Sequence, residues 1–204
     1  MARKSKEEAE QTRLLLLDTA MKVFCEKGLV KTTLASIATE AGLTRGAIYW
    51  HFKDKADLFE ALWQQQSTTL QDAAKKLEGT SGQALREGVL NIARILLTEM
   101  RDNPRMVMIM QLSLQGFADE SLRLRCVEKG QEDKAKVEAA MQQLQQDDIL
   151  LPHLTPQIAA VIYESMLSGI CEQWIMYNFG YQTDEQLDKY IKSLSLALFV
   201  NCPS

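Results

Sequence analysis

TLASIATEAGLTRGAIYWHF, residues 33–52, is the stretch that decides how this 204-residue chain is read. Thr33 stands where a helix N-cap is wanted, and Leu34, Ile37 and Ala38 follow at inward-facing helical spacing. Ala41-Gly42-Leu43 interrupts the pattern, with Gly42 free to take the positive φ that a short turn demands. Thr44 is a second N-cap, and a second helix runs from it through Ile48 to about Phe52. The spacing therefore predicts a helix, a tight turn and a helix, with Ile37 and Ala38 packed against Leu43 and Ile48. Tyr49, Trp50 and His51 are consecutive, so a helix cannot turn all three inward. An ordinary antiparallel helix pair inside a bundle has no use for large rings facing outward.

A surface use accounts for them. The second helix presents Thr44, Arg45, Gly46 and Ala47 at its N-terminal end, the order that puts base-reading side chains at the tip of a helix in a major groove. Arg45 suits guanine O6 and N7, and Gly46 and Ala47 admit close backbone approach or a thymine methyl. Tyr49, His51 and the later Lys55 suit phosphate contacts, which orient the helix without reading sequence. The expected partner is double-stranded operator DNA.

Outward from this motif, helical periodicity persists and no strand-like alternation of useful length appears. Leu17, Met21 and Phe24 stripe a first helix, about residues 7–27, that stops at Gly28. A fourth helix opens near Asp54, carries Leu58, Phe59, Leu62 and Trp63, and is expected to continue toward a polar linker at Glu78-Gly79-Thr80-Ser81-Gly82. Later segments are expected at residues 85–101, 105–114, from an Asp119 cap through Leu144, from Pro156 to about Phe179, and from Thr183 to Val200. The fold expected is all-α: an N-terminal three-helix helix-turn-helix domain, residues 1–55, then a helical ligand-binding and dimerisation domain, residues 56–204. A net charge of −4 disguises an uneven distribution. Residues 1–60 hold ten Lys/Arg against nine Asp/Glu, and the remainder thirteen against eighteen, so the front is the relatively basic part. No apolar run suggests a membrane span or a secretory leader, and a cytoplasmic location is expected. Cys25, Cys126, Cys171 and Cys202 are scattered without a CxxC pair, and are expected to be mostly buried thiols rather than metal ligands.

Residues 1–64 resemble the TetR family of bacterial repressors, and within it the AcrR-like branch that regulates multidrug efflux. The resemblance rests on Thr44-Arg45-Gly46-Ala47-Ile48-Tyr49-Trp50-His51-Phe52-Lys53-Asp54-Lys55 with Leu58 and Phe59, and on Met1-Ala2-Arg3-Lys4 and Thr12-Arg13. It implies that Lys55 touches phosphate together with Thr33, Tyr49 and His51, and that Trp50 either contacts the DNA backbone or packs at the domain edge. Behind residue 64 the similarity is greatest at residues 167–174, LSGICEQW. The family pattern further implies a homodimer built from the last two helices, residues 157–179 and 184–200. Ser165 and Gly169, four apart on an apolar helix, agree with close helix approach, although a helix buried inside one chain would look similar.

The rear half also reads as a sensor. Met100, Met106, Met108 and Met110 cluster within eleven residues, and adaptable thioethers suit varied apolar ligands. A hydrophobic small-molecule effector is expected, with Trp63, Gln66, Ser67, Met100, Met110, Gln111, Met166, Ile170 and Trp174 as candidate contacts; core filling explains single methionines equally well. Where the AcrR-like branch can carry an acid one turn past Trp63, this chain has Gln64-Gln65-Gln66-Ser67, which leaves Glu60, Glu99, Glu164 or Glu172 to meet a cation. An enzyme is disfavoured: the only histidines are His51, inside the motif, and His153, in a Pro-flanked connector, and no phosphate-binding glycine loop occurs. No cofactor is expected. Regulation of a metabolic or envelope-stress operon is the alternative within the family, and a helical enzyme or scaffold the alternative outside it.

Overall fold

Why the front of the chain folds is visible in what it buries. In the computed structural model, which describes residues 6–116, 120–177 and 182–200, Leu17, Met21 and Phe24 of α1 (Lys6–Lys27) all face inward. Gly28 ends α1 at φ +79°, its N–H donating to the Phe24 carbonyl at 2.9 Å. Helix α2 (Leu34–Glu40) is capped by Thr33, whose hydroxyl accepts from the Ser36 N–H while the Ser36 hydroxyl accepts from the Thr33 N–H. Gly42 takes φ +68°, and the Leu43 N–H closes the turn on the Ala38 carbonyl at 2.9 Å. Thr44 then caps α3 (Arg45–His51) by accepting from the Ala47 N–H at 3.2 Å. With α4 (Lys55–Gln66) these helices enclose Phe24, Ile37, Ile48, Phe52, Leu58 and Leu62, each almost without solvent contact. Burial of such side chains is worth roughly 1.5–3 kcal/mol apiece before chain entropy is counted.

The chain divides into two compact units, Met1–Gln66 with Met108–Glu128, and Ser67–Val107 with Lys129–Ser204. The fourth helix is not continuous, contrary to expectation. It ends at Gln66, and a separate α5 (Thr68–Lys75) begins after Ser67, which leaves helical geometry at φ −96°, ψ 11°. No glycine or proline marks the break. The buried Ser67 hydroxyl instead bonds the Gln71 side chain at 2.8 Å, and hydrogen bonding restarts from the Ser67 carbonyl.

In the second unit, α6 (Gly82–Asp102) buries Leu85, Val89, Ala93, Leu97 and Met100 along one stripe. Helix α9 (Pro156–Tyr177) packs on it, with the buried Tyr163 hydroxyl donating to the Val89 carbonyl at 2.9 Å. Helix α10 (Asp184–Leu198) is held against α6 by a row of arginines in antiparallel register. Arg86 meets Ser195, Arg94 meets Asp188, and Arg101 meets Asp184, at 2.8, 2.6 and 2.8 Å. Arg101 also pairs with Asp102 and holds that carboxyl below its ordinary range by hydrogen bonding. Helix α10 stops two residues short of the expected Val200 because the backbone beyond it is needed elsewhere: Leu150 and Phe199 form an antiparallel bridge, with Leu151 N–H on the Leu198 carbonyl and Val200 N–H on the Ile149 carbonyl. Helices α7 (Pro104–Gly116) and α8 (Glu120–Gln146) complete ten helices among the described residues. The expected Asp119 cap and the end of α9 at Phe179 lie outside those residues.

Two stability changes follow from local geometry. Asp148, after α8, is held at φ 56°, where an L side chain is strained. Asp148→Gly is expected to raise stability by about 0.5–1 kcal/mol, read as a higher urea midpoint with an unchanged slope. Thr44→Ala is expected to lower it by about 1 kcal/mol in the same measurement, since the Ala47 N–H loses its acceptor.

Candidate nucleic-acid interface

Helix α3 is anchored by one side chain and displays the rest. Ile48 is fully buried, while Arg45, Gly46, Tyr49 and Trp50 are exposed and Ala47 and His51 half-buried. Trp50 is 72% exposed, so it is no core residue displaced to an edge. It meets the His51 ring edge-on at 4.5 Å, which restrains both rings. The Arg45 guanidinium lies over Tyr49 at 5.4 Å from the ring centre, a cation–π contact that pre-orders a long side chain on the outer face. A Cβ added at Gly46 would meet nothing nearer than the Thr44 hydroxyl at 3.9 Å, so the surface there is open to close approach.

Thr33 and Thr44 use their hydroxyl oxygens as cap acceptors, and each hydroxyl retains a proton to donate outward. Lys55, in the first turn of α4, donates from its ammonium to the Leu29 carbonyl at 3.0 Å. That fixes the side chain against the turn after α1. Asp54 caps α4 by accepting the Asp57 N–H at 2.8 Å, and Asp57 accepts the Lys53 N–H at 2.8 Å. Arg13 of α1 stacks over Phe52 at 5.6 Å, so the connection from α3 to α4 is held from several sides.

One residue in this region was not singled out by sequence reasoning. Arg125, on α8 within the same compact unit, reaches Glu60 at 3.1 Å and Asp54 at 3.7 Å. A cation that meets its partners 65 and 71 residues away carries no local signal.

The candidate effector contacts fall in both units. Trp63, Gln66 and Met110 are half-buried and Gln111 exposed in the first. Ser67 and Met100 are buried in the second, Met100 completely, as part of the α6 stripe. Met166, Ile170 and Trp174 come together as a half-buried strip of α9 at four-residue spacing. Of the alternative acids, Glu60 is paired with Arg125, Glu99 accepts from Asn103 at 2.9 Å, and Glu172 is exposed. Glu164 is part-buried, as are Glu60 and Glu99, and desolvation pushes its carboxyl up, with Lys134 acting in the opposite sense. Of the cysteines expected to be mostly buried, Cys171 is buried, which raises its thiol to about 12, and Cys25 is exposed because it faces away from the α1 stripe; Cys202 and the side chain of Cys126 lie outside the described residues. No group of three or more His, Cys, Asp or Glu suited to a metal occurs among the described residues, and no helix there is long and apolar enough to cross a membrane.

Residues 16–62 match the family described as bacterial regulatory proteins, tetR family, and residues 82–199 match the C-terminal region of MAATS-type transcriptional repressors. The HTH-type transcriptional regulator AcrR of Shigella flexneri is 30% identical over 212 positions, spanning all of this chain and 96% of that one. The probable acrEF/envCD operon repressor of Escherichia coli K12 is 33% identical over 91% of this chain and 86% of its own. Among solved structures, NalD, the secondary repressor of the MexAB-OprM multidrug efflux pump in Pseudomonas aeruginosa, superposes with a TM-score of 0.74 at 27% identity, over 95% of this chain and 98% of that one. With both parts matched and a helix-turn-helix built to display its second helix, the chain belongs to the tetR family and is a DNA-binding transcriptional regulator.

Proposed function

We propose that this regulator represses a multidrug efflux operon, binding a palindromic operator as a homodimer and leaving it when a hydrophobic small molecule binds the helical part. Residues 1–55 are the DNA-binding domain and residues 56–204 the ligand-binding and dimerisation domain, acting in the cytoplasm. The observation that carries the reading is α3: a capped, core-anchored helix whose Arg45, Tyr49 and Trp50 face outward. Arg45, Gly46 and Ala47 read bases; Thr33, Thr44, Tyr49, Trp50, His51 and Lys55 hold the backbone. The efflux assignment is supported by the repressors this chain is similar to, one of which is described as controlling a multidrug pump.

The dimer is supported by α9, which carries Ile158, Val161, Ser165, Gly169 and Met176 along one exposed face. An apolar strip of that length needs a cover, and a second copy supplies it with two-fold symmetry that matches a palindrome. The effector is assigned to the half-buried strip Met166, Ile170 and Trp174 of the second unit, which also holds the candidates Ser67 and Met100; Trp63, Gln66, Met110 and Gln111 are the candidates of the first unit. Release requires the effector to bind the DNA-free state more tightly, and DNA then weakens effector binding by the same factor.

DNA reading is tested with a duplex that the wild-type chain selects from a random pool, beside a scrambled duplex of equal length. Arg45→Ala is expected to cost about 1–3 kcal/mol on the selected duplex and much less on the scrambled one. Trp50→Ala is expected to weaken both while leaving the melting temperature unchanged, because so exposed a ring contributes little to stability. Equal losses on both duplexes for Arg45→Ala would remove its base-reading role. The dimer is tested by Gly169→Leu, a suitable probe because Gly169 is exposed and a Cβ added there meets no neighbouring element of its own chain within 4 Å. Sedimentation is expected to show monomer and anisotropy a loss of selected-duplex binding; an unchanged dimer takes residues 157–179 out of the interface.

A further inference from the structure

The DNA-facing head is poor in charge. Ten cations stand against nine anions in residues 1–60, so a single charge gained or lost doubles or abolishes its net positive balance. Some of its acids are covered from within: Glu40 lies 3.8 Å from Lys22 and 4.0 Å from Lys27, and Asp57 accepts the Lys53 backbone N–H. Asp54 and Glu60 are different. Their cation is Arg125, which comes from α8 and meets them at 3.7 and 3.1 Å.

The position of these two acids gives the pairing a consequence. Asp54 lies between Lys53 and Lys55, two residues after the core anchor Phe52 and three after the end of α3. It belongs to the end of α4 that the proposed mode of binding turns toward phosphates. A carboxylate there repels the duplex over about 10 Å at moderate salt. Asp54 cannot simply be dispensed with, because its oxygen caps α4 through the Asp57 N–H. A neutralising arginine answers both needs: the cap stays and its charge is cancelled.

We propose that Arg125 is the counter-ion of the DNA-binding head: seated on Asp54 and Glu60, it lowers their repulsion of phosphate and so ties DNA affinity to the seat of α8 on α4. This rests on the DNA-binding reading of α3 and adds a residue that touches no base or phosphate. It is a positioning and charge-balancing residue, and its effect is electrostatic rather than a contact. Any state of the protein that draws Arg125 off α4 uncovers two carboxylates beside the phosphates, and binding to every sequence weakens together.

The test uses the full chain, the selected and scrambled duplexes, and anisotropy at about 20 and about 300 mM KCl, which span long and short screening lengths. The trio carries −1 in the wild type, −2 in Arg125→Ala, 0 in Arg125→Ala with Asp54→Asn and Glu60→Gln, and +1 in Asp54→Asn with Glu60→Gln alone. At low salt affinity is expected to follow that order of charge, by about two- to fivefold per step, equally on both duplexes. Arg125→Lys is expected to stay near the wild type, and the differences to shrink at high salt. Asparagine keeps the α4 cap, so Asp54→Asn with Glu60→Gln, which retains Arg125, reports against the wild type even if Arg125→Ala does not fold. An order that ignores charge, or a loss in Arg125→Ala that the neutral acids fail to restore, overturns the proposal and leaves Arg125 a packing residue. A wild-type chain that enriches no duplex from the pool instead overturns the DNA reading beneath it.

Discussion

A seven-residue helix has no stability of its own in water, and everything this protein does with DNA depends on one. Helix α3 persists because its first turn is capped by Thr44 and its single inward side chain, Ile48, is sealed among the core of the head. The remaining six positions are thereby released from structural duty. That is why Arg45, Tyr49 and Trp50 face outward at no cost to the fold, and why a regulator can vary them without rebuilding the domain.

The same economy governs charge. The head is nearly neutral, so its affinity for a polyanion depends on where charges lie rather than on how many there are. Glu40 is folded back on two lysines, Asp57 is turned onto a backbone N–H, and Asp54 and Glu60 draw on Arg125 from α8. Each pairing is exposed and weak as a stabilising contact, worth under about 1 kcal/mol. Their effect is on the field that approaching phosphates meet, which adds up over distance where stability contributions do not.

What was legible in the sequence was local. Thr33 and Thr44 announce helix starts through chemistry confined to three residues, and Gly28 and Gly42 announce turns through a φ that few other residues adopt. That Tyr49, Trp50 and His51 cannot all turn inward follows from helical geometry alone, and Tyr49 and Trp50 are the exposed pair. The features that escaped depend on partners far along the chain. Ser67 breaks the fourth helix without glycine or proline, through a buried hydroxyl bond. Phe199 leaves α10 for a bridge to Leu150 that only the folded chain brings near. Arg125 has the same character: an ordinary solvated cation by sequence, and the counter-ion of two acids 65 and more positions away by structure. Met100 shows the converse, since a methionine cluster that suggests a sensor also fits a core, and Met100 is fully buried.

Helix α9 shows why sensing and pairing are bound together on the proposed assignment. Apart from a polar stripe of Gln157, Glu164, Ser168 and Glu172 it is largely apolar, and its apolar sides need cover. One side is the unit's own core, with Ala159, Ala160, Tyr163, Leu167 and Cys171. The opposite side, Ile158, Val161, Ser165, Gly169 and Met176, is bare in the single chain and suits a second copy. Between them runs the half-buried strip of Met166, Ile170 and Trp174, and a ligand that wedges there presses on the same rigid rod that the partner grips. A helix cannot yield on one face and keep the other two still, because packed interiors shift between discrete arrangements rather than deforming smoothly. An effector of modest size is thus able to change how two protomers are held, and with them the spacing of their reading helices, without touching either.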